Sequence, residues 1–76
     1  MPERPDPEAG EVWFDQRKGQ AGRVLAVRPG AEQVTLVRPG GHPWFAAFAQ
    51  LRRPTAHEER QLAALARLHR QAVRDR

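Results

Sequence analysis

Cysteine, serine, asparagine, tyrosine and isoleucine are all missing from this 76-residue chain. Each absence excludes something. Without cysteine there is no disulfide and no zinc–thiolate staple, the devices with which small domains supplement a thin core, and no redox reading of the compartment. Without serine, cysteine or tyrosine, most nucleophiles and oxyanion-binding side chains are gone. The two threonines, Thr35 and Thr55, have structural places, so the inventory argues against an enzyme and offers no catalytic residue and no cofactor site. Lysine is nearly absent too: one stands against twelve arginines. With abundant alanine, proline and glycine, that is the bias of a GC-rich coding sequence, and some of the basicity is background. Long apolar runs are also lacking. The longest, residues 44–49, falls far short of the ~18–20 residues of a membrane span. The start, Met1-Pro2-Glu3-Arg4, lacks the basic-then-apolar layout of a signal peptide. The expectation is a cytoplasmic protein with no membrane partner. It is one domain at most, burying only ~60% of its unfolded surface.

The net charge of +4 is unevenly placed. Residues 1–11 set Glu3, Asp6, Glu8 and Glu11 against Arg4, a net of −3. Residues 12–53 carry +5 and residues 54–76 carry +2. A basic body behind an acidic tail points to an anionic partner, with the tail as a weak competitor.

Residues 1–9 hold three prolines and no large apolar residue after Met1. They read as a disordered, acidic, proline-rich tail. Gly10 leads into a strand, Glu11-Val12-Trp13-Phe14-Asp15, in which alternation puts Val12 and Phe14 on one face and Trp13 on the other. Val12 and Phe14 inward is favoured; Trp13 inward is equally simple. Residues 16–22, with two glycines and two adjacent cations, read as a loop. Residues 23–28 and 33–38 then form two strands joined by Pro29-Gly30-Ala31-Glu32, where proline fixes φ and glycine supplies a positive φ. Alternation places Val24, Ala26, Val34 and Leu36 together and Leu25, Val27, Thr35 and Val37 together. Both sets are largely apolar, as in a strand covered on both sides. After the turn Arg38-Pro39-Gly40-Gly41-His42-Pro43, residues 44–46 read as a strand, 48–50 as a helical turn and 51–53 as a last short strand. Thr55 and Glu58 form a capping box, and Leu62, Leu65, Ala66, His69, Ala72 and Val73 recur at helical spacing. This predicts a helix over 55–74 whose apolar stripe covers an open end of the barrel. The fold class is therefore mainly β: a small SH3-like barrel of about five short strands over residues 10–53, with a C-terminal helix in residues 54–76.

Lys18-Gly19, Gly22, the run Val24-Leu25-Ala26-Val27, a Pro-Gly turn and Val34-Thr35-Leu36-Val37 together resemble a KOW motif. Such motifs occur in a large-subunit ribosomal protein and in NusG-type elongation factors. The family's central glycine maps onto Gly22, where a tight fold-back at the strand start would need it. The resemblance covers about a quarter of the chain and implies an SH3-like barrel that binds RNA or protein without chemistry of its own. The chain is also similar to small actinobacterial proteins that pair such a barrel with a C-terminal helix. It departs from the family in its scarcity of lysine and in its unusually apolar segment 44–51.

Candidate sites follow. Arg17, Lys18, Arg23, Arg28 and Arg38 offer phosphate-binding cations, set against the alternative of a solvated basic surface. Trp13 and Trp44 are candidate aromatic contacts for a base or a peptide, set against a core role; Phe14, Phe45 and Phe48 read as core. His42, His57 and His69 lack metal-ligand spacing, so no metal is expected, and His69 reads as a satisfied structural histidine. Two function classes result. The first is a nucleic-acid-binding module, RNA before DNA; the second is a protein-interaction adaptor using Trp44 or the helix. Oligomeric state has no signal.

Overall fold

A computed structural model describes residues 6–74. Five strands, β1 (Val12–Asp15), β2 (Gln20–Arg28), β3 (Gln33–Val37), β4 (Trp44–Ala47) and β5 (Leu51–Arg52), precede one helix, α1 (Ala56–Arg74). The strands pair antiparallel in the order β4-β3-β2-β1-β5 and curl into a half-barrel. Short 3-10 turns at Pro29–Ala31 and Phe48–Gln50 make two of the connections. The fold is the expected one, mainly β with a single C-terminal helix.

The core is Trp13, Val24, Val34, Leu36, Ala46 and Leu51, with Val27, Trp44 and Phe48 packed against it. Four local expectations are corrected. First, Trp13 faces inward at 3% exposure, beside Asp15 at 2%, while Val12 and Phe14 are half-buried. Phe14 instead receives the Arg52 guanidinium, 3.8 Å from its ring centroid. Second, β2 begins at Gln20, because Ala21 and Gly22 pair with Phe14 and Trp13 rather than looping. Third, a bulge interrupts β2: Val24 pairs with Leu36, but Ala26 pairs with Thr35, leaving Leu25 as the extra residue. Val24 and Val27 therefore share the core side, and Leu25 and Ala26 are exposed. The outer face of the sheet is open there, not covered. Fourth, the left-handed residue of the β2–β3 turn is Glu32, with φ 50°, and not Gly30.

Of the expected disordered tail over 1–9, residues 1–5 lie outside the described residues. Residues 6–9 lead into Gly10, which is bonded to β2. Pro7 is buried, the Gly10 N–H donates to the Val24 carbonyl at 2.9 Å, and the Glu8 N–H donates to the Glu11 carboxylate at 2.7 Å.

The capping box forms as expected. The Glu58 N–H donates to Thr55 Oγ1 at 3.1 Å and the Thr55 N–H to Glu58 Oε1 at 2.8 Å. The same carboxylate takes both terminal nitrogens of Arg52 at 2.9 and 2.8 Å, fastening the helix start to β5. The apolar stripe covers less than expected. Leu62 is buried and Ala66 half-buried, yet Leu65 and Val73 are 36% and 56% exposed and His69 and Ala72 are exposed as well; Leu68, off that stripe, is 61% exposed. The helix meets the sheet through its first half: Leu62 lies beside Phe14 and Ala21, whereas every residue from Arg67 to Arg74 is exposed.

Arg52, and after it the Thr55 N–H, hold the Glu58 carboxyl down from 4.5 to about 2. A carboxylate lowered on folding stabilises fully above its unfolded value, and the contribution disappears as pH falls through the folded one. Carbon-detected NMR of the side-chain carboxyl is expected to show Glu58 titrating near pH 2, and Arg52→Ala to return it most of the way to the ordinary carboxylate range. A Glu58 titration that Arg52→Ala leaves in place would show that the pair does not anchor the helix.

Candidate nucleic-acid interface

Asp15 organises one end of the barrel. Its Oδ1 accepts the Arg17 and Lys18 N–H groups at 2.9 and 3.2 Å, and its Oδ2 accepts the Trp44 indole N–H at 2.9 Å. Its own carbonyl accepts the Gly19 N–H at 2.8 Å, with Gly19 at φ 70°. The β1–β2 turn is thus built on one buried carboxylate, which also orients Trp44, and the Lys18 ammonium lies 5.4 Å from that ring's centroid. An aspartate two residues before a loop N–H is a known turn former, so the local half of this arrangement had a signal. The bond to Trp44, 29 residues away, had none.

The five candidate cations do not form one patch. Arg17 and Lys18 sit in the β1–β2 turn, and Arg38 reaches toward them, donating from Nη1 to Gln20 Oε1 at 3.0 Å. Arg28 lies at the other end of β2, a nine-residue strand that reaches ~26 Å at ~3.3 Å per step. Arg23 is between them, with Nη1 on the Gly10 carbonyl at 2.6 Å. The candidate aromatics are also distributed differently from the expectation. Trp13 is buried, with the Arg53 guanidinium 4.1 Å from its ring centroid, and Trp44 is half-buried with its indole N–H on Asp15. The ring presented to solvent is Phe45, at 63% exposure. Alternation in β4 sends Trp44 and Ala46 to the core side, so Phe45 and Ala47 face out.

Strand register assembles the outer face around that ring. Ala26, Thr35 and Phe45 form one cross-strand row, and Arg28, Gln33 and Ala47 form the next. The Arg28 guanidinium lies 5.5 Å from the Phe45 ring centroid, and Leu25 adds apolar surface at 53% exposure. Strands β2, β3 and β4 contain no aspartate or glutamate. An exposed ring with a guanidinium beside it, and no acid within the strands, suit a ligand that is flat and anionic. Glu32 stands in the adjoining β2–β3 turn, so the ligand would carry its negative charge away from that turn.

No group of three or more metal-ligating side chains occurs among the described residues. His69 is exposed, its ring resting against Gly40, where an added Cβ would lie 3.2 Å from Nδ1. No helix among the described residues is long and apolar enough to cross a membrane. In comparisons with known proteins, the chain matches no family model, no curated sequence and no solved structure.

Proposed function

We propose that this protein is a non-enzymatic nucleic-acid-binding module, RNA before DNA, of the kind implied by the KOW-like residues 18–37. The observation that carries the reading is Phe45, exposed on the outer sheet face with Arg28 against its ring. A base would stack on Phe45 while Arg28 and Arg23 meet flanking phosphates; Arg17, Lys18 and Arg38, at the far end of β2, would meet only a longer strand. Stacking on an open face also favours single strands, whose bases are free to turn outward.

Fluorescence-anisotropy titration of labelled single-stranded RNA, duplex RNA and duplex DNA, at low and physiological salt, tests this. Phe45→Ala is expected to weaken single-strand binding by ~1–3 kcal/mol, roughly 5- to 150-fold. Its exposure makes it a poor candidate for unfolding the domain. Arg28→Ala should flatten the slope of log K against log[salt] by about 0.7, one single-strand phosphate contact. Absence of binding at low salt, or binding indifferent to both substitutions, would overturn the reading. The second function, a protein-interaction adaptor, loses support at half-buried Trp44 and keeps it at α1, where Leu65, Leu68 and Val73 are exposed.

A further inference from the structure

The junction between α1 and the sheet carries a surface whose chemistry differs from that of the Phe45 face. Three adjoining hollows of about 250, 170 and 330 Å³ lie there, and Arg38 lines all three. The outermost is walled by Gln61, Ala64, Leu65 and Leu68. Arg38 is half-buried, and its Nη1 is engaged by the amide oxygen of Gln20. The one carboxylate lining these hollows, Glu58, is held on both oxygens by Arg52. A guanidinium that meets an amide, beside exposed leucines, matches a ligand with a carboxylate next to an apolar group.

The charge around the crevice narrows the occupant further. From Arg60 to Arg74 the helix carries Arg60, Arg67, Arg70 and Arg74 and no acid. A second copy of this chain would bring the same arginine-rich half up to its twin, and like charges across a contact are unfavourable. A nucleic acid would find aliphatic walls in the outer hollow and no ring on which to stack a base. An acidic, leucine-bearing protein segment meets both requirements. Gln61 to Leu68 spans ~10 Å along the helix at 1.5 Å per residue, room for about three extended residues.

We propose that this crevice docks a short acidic and apolar segment of a partner protein, its carboxylate on Arg38 and its apolar side chains against Leu65 and Leu68. This site adjoins the Phe45 face, since Arg23 lines its middle hollow, but it does not depend on nucleic-acid binding there.

The test is an NMR titration of the ¹⁵N-labelled full chain with an acetylated, amidated pentapeptide of alternating glutamate and leucine. A matched peptide with glutamine in place of glutamate runs in parallel. The expected result is saturable shifts at the Arg38 side-chain Nε–H and at the amides of Gln61, Leu65 and Leu68. The glutamine peptide should bind at least about tenfold more weakly, and so should the acidic peptide to Arg38→Gln. Leu68→Glu, a change at a 61% exposed position that leaves Arg38 in place, should abolish binding while preserving the spectrum of the barrel. The proposal is overturned by the absence of saturation, by shifts confined to other surfaces, by equal binding of the two peptides or by indifference to Leu68→Glu. Single-stranded RNA moving the Leu65 and Leu68 resonances would assign the crevice to nucleic acid and overturn it equally.

Discussion

Asp15→Ala is expected to be among the most damaging single changes in this chain, removing ~3 kcal/mol of stability. The size follows from what the carboxylate does. At 2% exposure it accepts two backbone N–H groups and the Trp44 indole N–H, and alanine leaves all three donors without their acceptor. A fully buried donor so abandoned would lose ~1–3 kcal/mol. The Trp44 N–H is half-buried, and the exposed Arg17 and Lys18 N–H groups lose less, because water reaches them. At ~4–8 °C per kcal/mol for a domain of this size, the thermal midpoint should fall by ~12–24 °C, followed by circular dichroism. Asp15→Asn should fall between the parent and the alanine variant. One oxygen still accepts, but the new amide group points two donors of its own at a site full of donors. The β1–β2 turn should loosen in both variants, and with it the positions of Arg17 and Lys18. A midpoint for Asp15→Ala within a few degrees of the parent would show that the turn is held by its backbone alone.

Asp15 also marks where sequence reasoning stopped. Features encoded within a few residues were legible: the Thr55–Glu58 capping box, the proline–glycine turns, the 3-10 turn before β5 and the two arms of the central hairpin. Features that depend on partners far along the chain were not. Alternation in Val-Trp-Phe-Asp offers two faces, and an acid at the end of one argues for sending that face outward. Only the indole of Trp44 reverses the choice. The run Val24-Leu25-Ala26-Val27 is apolar at every position, so nothing in it discloses the bulge that turns Leu25 out and Val27 in. The helical stripe is equally readable over its whole length, but a stripe carries no information about how much of it the barrel meets. The site suffered most from distance. Five cations within 22 residues look like a cluster, yet a long extended strand separates Arg28 from Lys18. The exposed ring was missed because Phe45 sits between residues whose larger neighbour, Trp44, was the more obvious surface aromatic.

Gly22→Ala is expected to destabilise the fold by about 2 kcal/mol, through overpacking rather than backbone strain. In the resemblance to KOW motifs this glycine is needed for a tight fold-back, but Gly22 lies within β2, paired with Trp13, and the glycines with positive φ are Gly10, Gly19 and Gly40. Its backbone alone would accept alanine, a change worth ~0.4–1 kcal/mol in favour of folding where the conformation is compatible. What forbids a side chain is Trp44: an added Cβ would lie 2.7 Å from its Cη2, 3.1 Å from Leu36 Cβ and 3.2 Å from the Val37 carbonyl oxygen. The indole cannot retreat freely, because its N–H is fixed on Asp15. A double-mutant cycle separates the two explanations. Trp44→Phe is destabilising by itself, since it empties part of the core side and removes a donor from Asp15. In that background, however, Gly22→Ala should lose most of its cost in urea unfolding, the remainder coming from Leu36 and the Val37 carbonyl, giving a coupling of about 1–2 kcal/mol. An undiminished effect of Gly22→Ala beside phenylalanine would return the glycine to a backbone role. A coupling of the expected size would mean that this glycine is there to admit the ring that Asp15 holds, which joins the β1–β2 turn, the strand and the aromatic core into one unit.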